Sequence, residues 1–385
     1  MPRPAPQLLI ASRCAQTMLS QRRALAHAAM RQGFKVVAVG EDTDNGCSAR
    51  KLEREGIAFH AIPVRQGSLN PIALALLILQ FIKVFRKIKP DIFHAFTVKP
   101  VIAGMIAAKI CGIDVRVATI PGLGHGFLSK SKIISRTIVL LYKVSLSVCD
   151  HIFFYNRHDW IVFSELNIVN TKKTSIVNGS GVNTEYFKSS KIIKNTEIFK
   201  FLFIGRLIKE KGINDLIQAA AIIRNNNRLI SIDIVGEIDK NNPSTLTEKE
   251  IFLAKSMNIV HFKGQTDDVR PFIEAANAIV LPSYREGIPL VLLEGAAMGR
   301  PLVATNVPGC SDVVRPGETG YLVPAGDPEA LAAAMMQMAE NPSLARSMGD
   351  AARQDAIARF SDEAVSSVVL ERYSELLARH SAFDA

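Results

Sequence analysis

Short runs of β-branched and aromatic residues alternate along the chain with longer stretches in which apolar residues recur every three or four positions. This alternation is typical of a parallel sheet covered by helices on both faces. The pattern runs through residues 7–177 and starts again at residue 199, so it predicts two successive α/β domains. The predicted strands cover residues 7–11, 35–39, 57–62, 91–94, 115–120, 151–155 and 174–177, and then 199–204, 230–235, 259–262, 278–281, 302–305 and 320–323.

The helical stretches complete two Rossmann-like halves, joined by a polar segment at residues 181–198. Two such halves place a ligand in the cleft between them, at the carboxyl ends of their strands. The predicted helices cover residues 20–32, 71–88, 100–111, 133–149, 212–224, 248–257, 270–276, 290–298, 328–340, 342–359 and about 362–378.

Charge divides the halves further. Residues 1–180 contain 24 Lys and Arg against 10 Asp and Glu, a net +14, and residues 181–385 contain 22 against 26, a net −4, which together give the chain +10. A basic domain indicates a polyanionic partner such as nucleic acid, anionic lipid or a phosphorylated substrate. The alternative is that the excess of lysine serves solubility alone.

Several function classes have no motif in this sequence. It lacks a P-loop, a clean GxGxxG, HExxH and GxSxG, and its five cysteines are scattered without a CxxC pair. We therefore expect no metal, no cofactor and no disulfide framework. The longest apolar run, residues 72–85, is interrupted by Gln80 and Lys83 and is shorter than a membrane span of about 20 residues. The apolar core at residues 8–11 is too short for a signal peptide, so we expect a cytoplasmic protein.

The segment FLFIGRLIKEKG, residues 201–212, joins a strand end to a helix start. Gly205 turns the chain after the strand, and Arg206 and Lys211 follow in the connection. A guanidinium and an ammonium group so placed can clamp a diphosphate. The alternative is a solvated basic loop.

The segment LPSYREGIPLVLLEGAAMG, residues 281–299, contains Glu286 and Glu294 with seven residues between them. Gly287 and Pro289 lie where the loop becomes a helix, and the free N–H groups of a helix N-terminus suit phosphate. Glu294 falls on the second helical turn, where a carboxylate can accept from both hydroxyls of a ribose. Two ordinary surface glutamates are the alternative, made less favourable by the flanking proline and glycine residues.

Taken together, these segments resemble the retaining glycosyltransferases of family 4, which have the GT-B fold of two Rossmann-like domains facing across a cleft. The resemblance rests on GRLIKEKG, the Glu-x7-Glu run, LPSYREGIPLVLLEGAAMGRPLVATNVPGC and GETGYLVPAGDPEALA. In the first half, DIFHAFTVKP, TIPGLGHGF, FYNRHD and NGSGVNTEYF resemble members that build O-antigen, capsule or glycan units on a polyprenyl-diphosphate carrier.

The resemblance implies a division of labour. Residues 1–180 would bind the acceptor, 181–198 would link the domains, 199–361 would bind the nucleotide sugar, and 362–385 would form a helix that crosses back to the first domain. Catalysis would fall to Arg206, Lys211 and Glu286, without metal, through front-face attack in which the leaving diphosphate takes the acceptor proton. Donor binding would involve Gly205, Gly264, Gln265, Gly287, Ile288, Pro289, Leu290 and Glu294.

Two departures from the family pattern concern the acceptor side. The first loop, SRCAQT at residues 12–17, has no glycine, so Arg13 or Gln16 would act there instead. The place of a histidine found in many relatives is occupied by Pro121. The acceptor-side candidates are Arg13, Gln16, His94, Lys99 and His125, although a histidine at a strand end is often only structural.

The sequence thus predicts transfer of a sugar from a nucleotide sugar, UDP-hexose or UDP-N-acetylhexosamine, to a polyprenyl-diphosphate-linked saccharide. The alternatives are a UDP-sugar epimerase of the same fold and a non-catalytic protein that binds nucleotide sugars. We expect no nucleic-acid partner. We expect peripheral docking on the anionic inner face of the cytoplasmic membrane through residues 128–144, where Lys130, Lys132 and Arg136 are interleaved with apolar residues. The alternative is that these apolar residues pack on the sheet and the lysines are only solvated.

Overall fold

The computed structural model describes residues 5–64, 70–124, 127, 132–189, 198–226, 229–238 and 244–383. The chain divides into two compact units, the first formed by Met1–Gly181 with Asp362–Ala385 and the second by Val182–Ser361. Each unit contains its own parallel β-sheet, which confirms the prediction of two α/β domains.

The sheet of the first unit has seven strands: β1 (Gln7–Cys14), β2 (Lys35–Glu41), β3 (Ala58–Ala61), β4 (Ile92–Phe96), β5 (Val115–Ile120), β6 (His151–Phe154) and β7 (Thr174–Ile176). Their order is β3-β2-β1-β4-β5-β6-β7. The strands β1 and β4 are buried on both faces, which explains why they appear in the sequence as continuous apolar runs. The chain reverses its direction of winding between these two strands, where open α/β sheets bind ligands.

Helices cover both faces of this sheet. The helix α4 packs against α5, and α5 packs against α6. Separately, α1 packs against α3. Where one helix was predicted over residues 20–32 there are two, because the chain leaves helical geometry at Arg22. The helices α3 and α7 were not predicted, since each buries only two side chains and lacks an apolar stripe. The helices are α1 (Ala15–Gln21), α2 (Arg23–Arg31), α3 (Cys47–Arg54), α4 (Pro71–Ile88), α5 (Val98–Ile110), α6 (Lys132–Ser147) and α7 (Arg157–Glu165).

The sheet of the second unit has six parallel strands, β8 (Phe199–Ile204), β9 (Ile230–Val235), β10 (Val260–Gly264), β11 (Ala278–Leu281), β12 (Leu302–Thr305) and β13 (Gly320–Val323). Their order is β10-β9-β8-β11-β12-β13, so the winding reverses between β8 and β11. The predicted strands in this unit agree with these bounds to within two residues. The connections after β8 and β11 are the two segments that the sequence singled out for chemistry.

The helices of the second unit pack on both faces of its sheet. The four-residue helix α12 was not predicted. The helix predicted over 342–359 ends at Asp355 and continues as one π-helical turn, Ala356–Phe360. The helices are α8 (Ile213–Asn226), α9 (Glu248–Lys255), α10 (Arg270–Ala275), α11 (Leu290–Ala297), α12 (Cys310–Val313), α13 (Pro328–Glu340) and α14 (Pro342–Asp355).

The last helix, α15 (Asp362–Phe383), belongs to the first unit, where it packs against α2 and β5. The chain therefore passes from one unit to the other after Gly181 and returns after Ser361.

Candidate active site

Three loops at the carboxyl edge of the second sheet are joined through glycines. The backbone N–H of Gly205, after β8, donates to the Val235 carbonyl at 3.0 Å, and the N–H of Gly236 donates to the Gly264 carbonyl at 2.9 Å. A Cβ on Gly236 would lie 1.8 Å from the Gly205 carbonyl oxygen, so only glycine permits this approach. The predicted donor residues Gly205 and Gly264 therefore lie on one sheet edge, and Gln265 follows directly.

The predicted catalytic residues Lys211 and Glu286 are in contact. Lys211 Nζ lies 2.5 Å from Glu286 Oε1, and Ser283 Oγ donates to the same oxygen at 2.7 Å. The side chains of Lys211 and Glu286 are 25% and 11% exposed. An ion pair at this degree of burial is screened weakly, so it holds both groups in a fixed position. The Lys211 ammonium group still has two N–H donors for an anionic ligand.

Gly212 allows the two loops that carry this pair to meet. Its φ is +68°, and a Cβ there would lie 1.8 Å from the backbone oxygen of Pro282. The loop after β8 therefore rests directly on the backbone of the loop after β11. This close contact sets the position of Lys211 relative to Glu286.

The loop after β12 supports the other side of the Glu286 loop. Thr305 Oγ1 donates to the Ser283 carbonyl, and the N–H of Glu286 donates to the Pro308 carbonyl at 3.3 Å. Gly309 has φ +84°, and a Cβ on it would lie 2.1 Å from the Gly287 carbonyl oxygen. The backbone of residues 283–287 is thus held by its neighbours on both sides.

The N-terminus of α11 follows this loop. Pro289 is the N-cap and makes no side-chain cap hydrogen bond, and the N–H of Leu292 donates to the Pro289 carbonyl at 3.1 Å. The N–H groups of Leu290 and Val291 have no carbonyl acceptor within the helix, as at any helix N-terminus. Together with the helix dipole, such groups favour phosphate or sugar oxygens. Ile288 lies immediately before them.

Glu294 is the partly buried carboxylate of this site. Within the part of the chain that the structure describes, its carboxylate has no hydrogen-bond partner, and burial raises its pKa to about 7. Its neighbour Gly295 lets α11 approach β11 closely, since a Cβ would lie 2.3 Å from Ile279 Cγ1. A rigidly placed carboxylate without a protein donor is suited to accept hydrogen bonds from a diol.

Arg206 is the predicted catalytic residue that the structure does not bring into the Lys211–Glu286 contact. Its side chain is exposed and makes no hydrogen bond or ion pair with any other described residue. Its guanidinium is therefore available to an anionic ligand. No three His, Cys, Asp or Glu side chains among the described residues are grouped so as to hold a metal ion.

Three residues that hold the site together were not predicted from the sequence. Tyr284 OH donates to Asp215 Oδ1 at 3.1 Å, and the Tyr284 N–H donates to the Glu210 carbonyl at 3.0 Å. Asp215 lies in the first turn of α8 and is buried. The sequence signal for Tyr284 was its place two positions before Glu286. Its partner Asp215 could not be found in this way, because it lies 69 positions away in the sequence.

His94, an acceptor-side candidate, is completely buried in the first unit. Its Nδ1 is hydrogen-bonded to Tyr373 OH on α15, and its Nε2 lies 2.7 Å from Thr119 Oγ1 on β5. Burial, with a contribution from Arg22, lowers the pKa of His94 well below its usual value. With both ring nitrogens engaged, the geometry favours the structural alternative, in which a neutral His94 attaches α15 to the sheet.

Replacing Tyr373 with phenylalanine tests this structural role. The change leaves a nitrogen of His94 buried without a partner, so we expect the free energy of unfolding to fall by about 1–3 kcal/mol. Urea denaturation gives this quantity, and turnover per folded molecule should stay unchanged. Unchanged stability with reduced turnover would instead place His94 in the reaction.

The other acceptor-side candidates follow the carboxyl ends of two adjacent strands. Arg13 is exposed near the end of β1, Gln16 is exposed in the first turn of α1, and Lys99 lies in the first turn of α5 after β4. The strands β1 and β4 are neighbours, so all three residues belong to one sheet edge. His125 lies outside the described residues.

Comparison with known proteins identifies a family model in each half of the chain. A family model for glycosyl transferase 4-like domains matches residues 10–156, and one for glycosyl transferases group 1 matches residues 184–355. The capsular polysaccharide biosynthesis glycosyltransferase CapM of Staphylococcus aureus is 27% identical over 329 residues, which are 83% of this chain and 85% of CapM.

Two further similarities concern one sequence and one structure. The N,N'-diacetylbacillosaminyl-diphospho-undecaprenol alpha-1,3-N-acetylgalactosaminyltransferase of Campylobacter jejuni is 25% identical over 342 residues, 85% of this chain and 88% of that enzyme. The structure of Anabaena HepE in complex with UDP superimposes with a TM-score of 0.77 at 19% identity, covering 96% of this chain and 100% of HepE. One family model falls in each half, and together they span most of the chain, so the protein belongs to the glycosyltransferases that combine a glycosyl transferase 4-like domain with a glycosyl transferases group 1 domain in the GT-B fold.

Proposed function

We propose that the protein is a retaining glycosyltransferase that moves a sugar from UDP-hexose or UDP-N-acetylhexosamine to a polyprenyl-diphosphate-linked saccharide in the assembly of a bacterial surface polysaccharide. The observation that carries the proposal is the Lys211–Glu286 contact next to the N-terminus of α11. Glu294 lies on the same helix, and no other described residue is hydrogen-bonded to its carboxylate. We assign donor binding to the second unit and acceptor recognition to the basic first unit.

The chemistry follows from where charge develops. When the bond between the sugar C1 and the diphosphate oxygen breaks, negative charge grows on the leaving diphosphate. Arg206, the ammonium of Lys211 and the amides at the start of α11 are cationic or partly positive groups that stabilise this charge. The acceptor hydroxyl attacks C1 from the same face, the new C–O bond forms there, and its proton passes to an oxygen of the leaving diphosphate. Glu286 keeps Lys211 in place and presents its second oxygen to the donor sugar.

The relatives support the substrate classes. The Campylobacter enzyme is named for transfer to a diphospho-undecaprenol acceptor, and HepE is described in complex with UDP. CapM is named for capsular polysaccharide biosynthesis. These names support a UDP donor and a lipid-linked acceptor for this protein.

A donor screen tests the proposed function. UDP-sugars are incubated with and without polyprenyl-diphosphate-linked saccharide, and free UDP and the glycosylated lipid are measured. We expect UDP release only when the lipid is present, with the α-anomeric configuration of the donor kept in the product. Isomerised donor without acceptor would indicate the epimerase, and nucleotide binding without product would indicate the non-catalytic alternative.

Donor affinity should depend on pH through Glu294. Ribose hydroxyls donate to a carboxylate, so the donor binds the ionised form better than the protonated form. Because the pKa of Glu294 is about 7 in the enzyme without donor, the affinity for the donor should rise as the pH increases from 6 to 8 and should level off above that. Calorimetry with UDP-glucose is the measurement, since this donor has no secondary phosphate ionisation near pH 6. We expect up to about tenfold weaker binding per pH unit below the pKa.

The matched variant is Glu294→Gln, which keeps the shape and removes the titration. Its affinity for UDP-glucose should be lower at pH 8 and nearly independent of pH. A pH dependence as steep as that of the wild type would assign the titration to another group.

We also propose that the enzyme works on the cytoplasmic face of the membrane, held there peripherally by its basic first unit. The reason is that the lipid of the acceptor keeps its diphosphate at the bilayer surface. In the segment 128–144, Arg136, Leu140 and Val144 are exposed on α6, in keeping with docking there. Lys130 lies outside the described residues, and of Lys132 only the backbone is described.

A further inference from the structure

The helix α4 is apolar on two opposite sides, and only one of them is buried against other described residues. Leu77, Phe81 and Phe85 are buried in the core of the first unit. On the other side Ile72, Leu76 and Leu79 are 70%, 57% and 54% exposed. Spacings of four and three residues place these three side chains on one helical face. Scattered surface leucines are ordinary, but an aligned exposed row opposite a buried row indicates a surface with a binding partner.

The same face becomes basic toward the end of the helix. Lys83, Arg86 and Lys87 are exposed, and they fall within the same arc of about 100° as the apolar row. None of the three forms an ion pair with another described residue. We call the six residues Ile72, Leu76, Leu79, Lys83, Arg86 and Lys87 the α4 stripe.

The helices in the same layer as the α4 stripe carry no carboxylate that could neutralise it. Neither α4 nor its layer neighbours α5 and α6 contains a single Asp or Glu. The charged side chains of these three helices are therefore all positive, and the exposed Arg136 on α6 is one of them. A partner for this layer must be apolar at one place and anionic next to it.

We propose that the α4 stripe is the docking surface for a bilayer that contains anionic lipid. The apolar row would enter the boundary between headgroups and acyl chains, and the three cations would lie against lipid phosphates. An interfacial helix binds a bilayer through this combination of apolar and basic residues. The inference rests on the proposed function, because a lipid-linked acceptor requires the enzyme to reach the bilayer. It assigns the contact with the bilayer to α4, whereas the sequence indicated residues 128–144.

A second copy of the chain fits the α4 stripe less well. A two-fold interface places the same patch on both subunits. Here it would bring together two sets of cations, and the helices of this layer offer no carboxylate to pair with them. No described helix is long and apolar enough to cross a bilayer, and α4 is included in that finding. The contact we infer lies along the membrane surface.

Vesicle flotation tests the inference without any sugar substrate. The full-length protein is mixed with vesicles of phosphatidylcholine and phosphatidylglycerol at about 7:3, or of phosphatidylcholine alone. The wild type should bind the anionic vesicles and lose most of this binding between about 0.05 M and about 0.5 M salt. K83Q/R86Q/K87Q should weaken binding at low salt roughly 100-fold, and L76Q/L79Q should weaken it about tenfold or more.

Matched variants elsewhere separate the stripe from general effects. R50Q/K51Q/R54Q removes three exposed positive charges from α3, and F252Q/L253Q removes two exposed apolar side chains, 72% and 50% exposed, from α9. Both controls should bind anionic vesicles within about twofold of the wild type. Thermal unfolding shows that each variant is folded.

Three results would overturn the inference: stripe variants that bind as the wild type does, control variants that lose as much binding as the stripe variants, and a concentration-dependent dimer that L76Q/L79Q abolishes. Transfer to a short-chain soluble acceptor should survive in the stripe variants, whereas transfer to acceptor in vesicles should fall. Because flotation needs neither donor nor acceptor, failure of docking and failure of the proposed reaction give different results.

Discussion

Turnover should fall about 100-fold when Glu286 is replaced by glutamine, and by a similar factor in Lys211→Ala. The two side chains are in contact at 2.5 Å, and Glu286 is held in addition by Ser283 Oγ. Glutamine has the shape of glutamate but cannot fix an ammonium group by charge. Removal of one preorganised charge next to the leaving diphosphate commonly costs a few kcal/mol of transition-state stabilisation. The measurement is kcat with a UDP-sugar and polyprenyl-linked acceptor.

A double variant tests whether the two residues act as one unit. Since the pair is a single contact, Lys211→Ala with Glu286→Gln should be no more than a few-fold slower than the worse single variant. Lys209→Ala is the matched control, because Lys209 is exposed at the start of the 3₁₀ turn Lys209–Lys211 and forms no ion pair with another described residue. Turnover near that of the wild type in either single variant would remove the pair from the catalytic site.

The strands were predictable because each is a short run of apolar residues, and such a run can be recognised from the local sequence alone. The strands β8 and β11 have the predicted bounds, and both are buried on two faces. The helices α3 and α7 were not predictable in this way. In α3 only Ser48 and Leu52 are buried, so its sequence has the polarity of a loop. What makes it a helix is the tertiary contact with α1, which no local pattern reports.

The candidate site was predictable as a set of segments but not as a set of contacts. Lys211 and Glu286 were located because glycine, proline and charge concentrate around them. The contacts between Gly212 and Pro282 and between Gly309 and Gly287 were not, since each joins loops that only the sheet order brings together.

Which apolar face of the helix α4 is exposed could not be predicted from the sequence. Its bounds, Pro71–Ile88, were predicted from the sequence. Hydropathy gives Leu76 and Leu77 the same value, yet one is 57% exposed and the other is buried. Which apolar face a helix buries is decided by its neighbours. The exposed row of α4 therefore emerges only when α5 is in place.

Activity should also be lost, by about 100-fold, in Gly212→Ala, although the change adds only one methyl group to a residue that has no side chain. A Cβ at this position would lie 1.8 Å from the Pro282 carbonyl oxygen, a distance that no side-chain rotation can relieve. The loop after β8 must then move away from the loop after β11, and Lys211 moves with it. A displacement of about 1 Å at a catalytic group can cost about 100-fold in rate. The measurements are kcat and, for the fold, the free energy of unfolding.

The control for this prediction is Gly317→Ala, because it separates backbone strain from the clash. Gly317 lies in the same unit with φ +79°, close to the +68° of Gly212, but a Cβ there would meet nothing within 4 Å. Both variants suffer the cost of a left-handed alanine, about 1 kcal/mol. Only Gly212→Ala also displaces a loop, so it alone should lose activity in the molecules that remain folded. Equal activity in the two variants would mean that the position of Lys211 does not depend on the contact between these loops, and the reaction would then have to tolerate a mobile ion pair.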